Sequence, residues 1–179
     1  MSFIQGSLCT EINTYHQEGH QLAVLVIDEQ DDVPQPYLAA QKQVLNTAQQ
    51  LGLPVWLVEL NPHINKVVPP PPNRPTNAAL VVPGAQVLTK PNINAFASDA
   101  HPNLHQQLRL AGTTMLVVMG YHVNQCVRAT SVGGPGRPGG LDRPGATQLG
   151  YIVLSCNQIL RGGQATWRLE SGVRFYSAI

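Results

Sequence analysis

Residues 21–28 read "QLAVLVID". A nearly continuous apolar run with β-branched residues, closed by an acid, is the pattern of a strand buried on both faces, as strands of parallel sheets are. Asp28 therefore stands at the carboxyl end of an interior strand. Residues 37–51, "YLAAQKQVLNTAQQL", space Leu38, Val44, Leu45 and Ala48 as one face of a helix, with Gly52 as the stop signal and Pro54 beyond it. "PVWLVEL" (54–60) is a second buried strand.

The pattern then repeats with interruptions. "NPHINKVVPPPPNRPTN" (61–77) is too rich in proline for helix or ladder and reads as an extended surface loop. "AQVLTK" (85–90) is a short strand that delivers Lys90, "HPNLHQQLRLAG" (101–112) a helix, and "TMLVVMG" (114–120) a further strand. A helix starts near Cys126, but "GGPGRPGGLDRPG" (133–145) cannot continue it, because glycine and proline dominate. Strands follow at 151–157 and 172–178. Alternating buried strands and amphipathic helices predict an α/β fold, with a mainly parallel central sheet between two helical layers. In such three-layer folds ligands bind beyond the carboxyl ends of the strands.

Bulk composition narrows the function. The 179 residues, 43% hydrophobic, suffice for one core, and a single domain over residues 1–179 is expected. A net charge of +1 and a charged fraction of 12%, without a basic cluster, give no electrostatic footprint for nucleic acid or anionic lipid. No apolar run approaches the roughly 18 residues of a spanning helix, and the N-terminus lacks a basic start followed by an apolar stretch. The expectation is a cytoplasmic protein acting on a small molecule. Three widely spaced cysteines, Cys9, Cys126 and Cys156, argue against a disulfide framework or a structural zinc site.

Asp28, Lys90 and Cys126 each follow an apolar stretch, so the fold brings them toward one rim of the sheet. A helix start and a nearby ammonium lower a thiol's pKa, and a carboxylate can take and return its proton. Read singly, each residue has a plainer alternative: a packed small side chain, a turn residue, a solvated cation.

Together, "LAVLVIDEQDD", "LTKPNINAF" and "VVMGYHVNQCVRAT" resemble the isochorismatase-like cysteine hydrolases, a superfamily that includes nicotinamidases and N-carbamoylsarcosine amidases. The resemblance spans roughly residues 21–157 and implies a Rossmann-like topology. It implies a triad of Asp28 as general base, Lys90 as its cationic partner and Cys126 as nucleophile. Asn94, Ala95 and Phe96 complete the lysine motif. It further implies a cis peptide between Tyr121 and His122, an oxyanion hole formed by the backbone N–H groups of His122 and Cys126, and association into a homo-oligomer. The implied activity is cleavage of a small amide-like C–N bond through a thioester. Phe96, Tyr121 and His122 are candidate substrate contacts, whereas core packing is the more common fate for residues such as Trp56 and Tyr151.

Several positions depart from the family pattern. Val123 stands in place of the turn threonine, and Val33 in place of a phenylalanine after Asp32. Nicotinamidases bind a metal through an Asp-x-His pair, where this chain has Asn61 and His63, so no metal and no cofactor is expected. The glycine-proline stretch is either a tolerated surface loop or a flap or oligomer contact beside the pocket, in which case Arg128, Arg137 and Arg143 can meet an anionic substrate. Two other functions stay open: vinyl-ether hydrolysis as in true isochorismatases, where the aspartate is the acid and which the presence of Cys126 disfavours, and a catalytically silent binding or scaffold protein.

Overall fold

The computed structural model describes residues 4–64, 66, 68–69, 72–134 and 143–179. Seven strands form one sheet: β1 (Ile4–Ser7), β2 (Leu22–Ile27), β3 (Val55–Leu60), β4 (Gln86–Lys90), β5 (Met115–Gly120), β6 (Ile152–Cys156) and β7 (Val173–Ala178). Their order across the sheet is β1-β7-β6-β5-β2-β3-β4, and each neighbouring pair runs parallel. The helices are α1 (Leu8–Gln17), α2 (Gln35–Gln50), α3 (Leu104–Leu110) and α4 (Arg128–Val132).

The order of the strands fixes the layers. From β1 to β2, and from β2 to β3, the chain advances across the sheet in one direction; from β4 to β5 and from β5 to β6 it moves the other way. Right-handed crossovers then put α1 and α2 on one face and α3 and α4 on the other. The direction reverses at the β2/β5 boundary, where ligand crevices open in such sheets. Asp28 directly follows the strand on one side of that boundary, and the segment carrying Cys126 leaves the strand on the other.

The predicted α/β fold with its parallel central sheet is therefore present. Every residue of β2 and of β5 is buried, which explains why both read as unbroken apolar runs. Each Val, Leu, Ile or Met side chain among them contributes roughly 1.5–3 kcal/mol of burial free energy. Trp56 (3% exposed) and Tyr151 (5%) also belong to this core. Where α3 was expected over residues 101–112, it starts only at Leu104. Asn103 caps it by accepting the Gln106 N–H at 3.0 Å, and His101 is held instead in a bridge to Thr89.

The N-terminal strand and helix are the elements that the hydrophobic pattern does not announce. β1 is the short polar "IQGS" at the sheet edge, largely exposed, and α1 buries only Leu8, Cys9 and Ile12. Ser7 joins them by accepting the Thr10 N–H, and its hydroxyl donates to the Ile179 carbonyl at 2.6 Å. The proline-rich loop is moored at its far end, where Glu59 accepts from the Thr76 N–H at 2.7 Å and from its hydroxyl at 3.0 Å. Among the described residues no helix is long and apolar enough to cross a membrane.

Candidate active site

Asp28 follows β2 in the left-handed region, with φ of 52°. Aspartate tolerates that conformation better than most residues, and such backbone clusters at functional sites. Its N–H stays tied to the Val58 carbonyl at 2.8 Å. The neighbouring end of β5 must come very close: a Cβ on Gly120 would lie 2.1 Å from the Ile27 carbonyl oxygen. Only glycine lets the exits of β2 and β5 meet at this distance.

Lys90 is the last residue of β4, and its side chain is completely buried. Its Nζ donates to Asp28 Oδ2 at 2.9 Å and to the Asn92 carbonyl at 3.1 Å. A buried ammonium persists when it is paired and hydrogen-bonded, and both conditions hold here. The Asp28 side chain is only 7% exposed. Burial pushes its carboxyl above the usual aspartate range, against the pull of Lys90.

Cys126, 6% exposed, sits in a π-helical turn spanning Val123–Val127 that leads directly into α4. Such turns recur at functional sites. Its thiol lies where Lys90, the Asp28 carboxyl and the His122 backbone all act on it. Asp28 Oδ1 is buried and has no formed hydrogen bond, so the thiol–carboxyl approach is a near-contact rather than a bond. The three residues read at three strand ends thus come together.

One electrostatic expectation is corrected. The sequence suggests a thiol acidified by a helix start and Lys90, yet burial pushes the Cys126 thiol up to about 12, with Lys90 opposing and Asp28 adding to the rise. Burial of the thiol outweighs the pull of Lys90, which the adjoining Asp28 partly offsets. The resting group is a thiol beside a carboxylate–ammonium pair.

The turn before Cys126 has the expected backbone, with a cis peptide between Tyr121 and His122. Val123, which replaces a hydroxyl-bearing residue of the family pattern, is fully buried. Backbone groups hold it instead: its N–H donates to the Arg161 carbonyl at 2.8 Å, and its carbonyl accepts from Trp167 Nε1 at 2.9 Å. Val33 is likewise packed into the core.

The candidate substrate contacts divide. Tyr121 is 40% exposed beside the His122 ring, with centroids 5.1 Å apart. His122 Nδ1 accepts the Asn124 N–H at 3.4 Å. Phe96 instead stacks on Tyr151 at 5.9 Å, and Tyr151 meets His105 Nδ1 at 2.9 Å, so its ring is engaged in packing. Asn94 shapes the lysine loop by accepting the Phe96 N–H at 2.9 Å, and Thr130 of α4 accepts the Ala95 N–H at 3.1 Å. Arg143 pairs with Asp99, which also accepts from Asn92; Arg128 leans toward the Gly133 carbonyl. Arg137 lies outside the described residues.

The donors near His63 do not suit a metal ion. Asn61 supplies an amide in place of a carboxylate, and its Oδ1 is occupied by the His63 N–H at 3.1 Å. Among the described residues no three His, Cys, Asp or Glu side chains converge as ligands.

Two residues escaped the sequence reading. Glu29, fully buried, accepts from Gln41 Nε2 at 2.7 Å and is paired with Arg161. An acid directly after Asp28 was the available signal for the first; nothing in "NQILRGG" marks the second.

Comparison with known proteins places these features in context. The isochorismatase domain model matches residues 22–134. No curated protein matches the sequence. An isochorismatase family protein from Burkholderia thailandensis is similar in structure at 21% identity, with 88% of this chain and 91% of that chain covered and a TM-score of 0.62. The nicotinamidase of Staphylococcus aureus is 14% identical, with 89% and 99% covered and a TM-score of 0.66. The pyrazinamidase of Pyrococcus horikoshii, solved in complex with zinc, is 16% identical, with the same coverage and a TM-score of 0.64. At such identities the structural likeness is one of fold.

Proposed function

The chain belongs to the isochorismatase family, and from that premise we propose that it is a cysteine hydrolase cleaving a small amide-like C–N bond through a thioester on Cys126. The observation that supports this reading is the meeting of a buried carboxylate–ammonium pair with a thiol at the β2/β5 boundary. A buried charge pair costs desolvation, and chemistry at the adjoining thiol is the return that this reading gives it.

On this reading Asp28 takes the Cys126 proton as the sulfur attacks the carbonyl carbon, so that free thiolate need not accumulate. The carbonyl oxygen becomes an oxyanion received by the N–H groups of His122 and Cys126; one good donor of this kind is worth about 3 to 4 kcal/mol. Asp28 then gives the proton to the leaving nitrogen, ammonia or an amine departs, and the acyl group stays on sulfur. Water, deprotonated by Asp28, attacks the thioester, and the thiol recovers its proton as the acid leaves. Proton transfer of this kind is typically worth about 10²–10⁴-fold. Lys90 pairs with Asp28 when it is ionised and holds it in place through the cycle.

No step is routed through a metal, because Asn61 and His63 do not supply a fitting donor set. Zinc in the pyrazinamidase is a property of that protein. Three free, buried cysteines fit a reducing cytoplasmic setting. A homo-oligomer completes the reading, to be checked by light scattering.

The test is a panel of small primary amides and ureides assayed for released ammonia, with the Cys126→Ala variant as blank. Cysteine-dependent release from at least one compound is expected; release that survives Cys126→Ala would overturn the reading.

A further inference from the structure

The turn that carries the His122 N–H is gripped from one side by a single later segment. Arg161 donates its N–H to the Gly120 carbonyl at 2.9 Å, just before the turn, and accepts the Val123 N–H at 2.8 Å, just after it. Gly162 lies flat against the His122 ring, where a Cβ would meet ring atoms at 3.0 Å. Asn124 is held by the Gln164 carbonyl at 3.0 Å and by the Thr166 N–H at 3.0 Å.

Within this cradle one side chain does more than pack. The Arg161 guanidinium lies 5.0 Å from the centroid of the Tyr121 ring, a cation–π contact. It is ion-paired with Glu29, the residue after Asp28, and donates to the Asp32 carbonyl at 3.3 Å. Glu29 is itself pinned by Gln41 Nε2 at 2.7 Å, and Gln41 also donates to the Ile159 carbonyl at 3.0 Å. Arg161 therefore ties the turn leaving β5 to the loop leaving β2, the two segments that supply the proposed oxyanion donor and the proposed base. Arginine suits the task, because its planar fork can stack on an aromatic ring while bonding two acceptors.

We propose that Arg161, anchored on Glu29, is a positioning residue for acyl transfer: it holds the Tyr121–His122 turn so that the His122 N–H stays aimed at the reacting centre. This rests on the cysteine-hydrolase reading. Its consequence is selective, since an oxyanion donor assists attack on a carbonyl and does nothing for displacement at a saturated carbon.

Two probes of Cys126 separate these cases. With p-nitrophenyl acetate the sulfur attacks the ester carbonyl, its proton passes to Asp28, p-nitrophenolate leaves and an acetyl thioester remains. With iodoacetamide the sulfur displaces iodide and no oxyanion forms. Both rates are measured by mass spectrometry of the Cys126 peptide, in the wild type, in Arg161→Met, and in the double variant Glu29→Gln with Arg161→Met, whose buried site keeps no uncompensated carboxylate if the single variant fails to fold. The expected result is acetylation slowed by about tenfold or more with alkylation within about twofold of wild type. Equal slowing of both reactions, or no slowing of either, overturns the inference. Alkylation without acetylation in the wild type itself overturns the hydrolase reading on which the inference rests.

Discussion

Lys90 Nζ lies 2.9 Å from Asp28 Oδ2, and the lysine side chain has no exposure to solvent. Neither charge can be removed alone without stranding the other in the protein interior. Lys90→Met, which strands the Asp28 carboxylate, is expected to lower unfolding free energy by about 3–5 kcal/mol; Asp28→Asn costs less, because burial already opposes that charge, and the double substitution recovers most of the Lys90→Met loss. Urea denaturation of the four proteins measures this. Additive losses in the double variant would mean that the pair is not coupled.

The raised Asp28 pKa sets the acid side of any activity profile. A general base must be ionised, so kcat/KM falls as pH drops through its pKa, and burial places that limb above the range of an exposed aspartate. Stability has the opposite sign. The folded state favours the protonated carboxyl, so the stabilisation is complete below the unfolded aspartate value of about 3.9 and is lost as pH rises through the folded value. A kcat/KM profile flat down to pH 4 would contradict the assignment.

The resting thiol makes a sharper demand on labelling. With its pKa at about 12, Cys126 should react with iodoacetamide more slowly than a free thiol at pH 8, and the rate should still be climbing beyond pH 10. Peptide mapping over a pH series distinguishes Cys126 from Cys156, which burial holds at about 11. A labelling rate that levels off near pH 7 would show a preformed thiolate.

Gly120 offers a test of the fold's tightest joint. A methyl group there would lie 2.1 Å from the Ile27 carbonyl, which is backbone and cannot rotate away. Gly120→Ala should destabilise by about 3 kcal/mol and reduce turnover, because the exits of β2 and β5 must separate. Thermal denaturation and the ammonia assay report the two effects.

What the sequence displays is what burial on both faces writes into it. β2 and β5 are fully buried, so their apolar runs are unmistakable, and the acid and the glycine that end them mark the rim where the site lies. β1 is hidden for the converse reason: an exposed edge strand of four residues needs no apolar pattern. Lys90 was legible because it ends a strand, but its complete burial was not, nor was the burial of Cys126, which reverses that thiol's expected acidity. Glu29 and Arg161 stand 132 positions apart, and no local pattern connects an acid on one loop to a cation on another. Val123 lacks the hydroxyl of the family pattern, and Arg161 and Trp167 hold the turn through its backbone, a contact between distant segments that no local pattern displays.

The roles of Asp28 and Cys126 separate the amide reading from vinyl-ether hydrolysis. Both Asp28→Asn and Cys126→Ala should reduce amide turnover by about 10²-fold or more. In the vinyl-ether case Cys126→Ala would leave turnover intact while Asp28→Asn abolishes it.

The thioester itself is the most direct test. Wild-type protein is mixed with an amide from which it releases ammonia, quenched in acid within the first turnover, digested and analysed by mass spectrometry. The acyl group of the substrate is expected on the Cys126 peptide, absent before mixing and absent in Cys126→Ala. Ammonia release with an unmodified Cys126 peptide, at a rate that Cys126→Ala does not change, would contradict covalent catalysis by this residue.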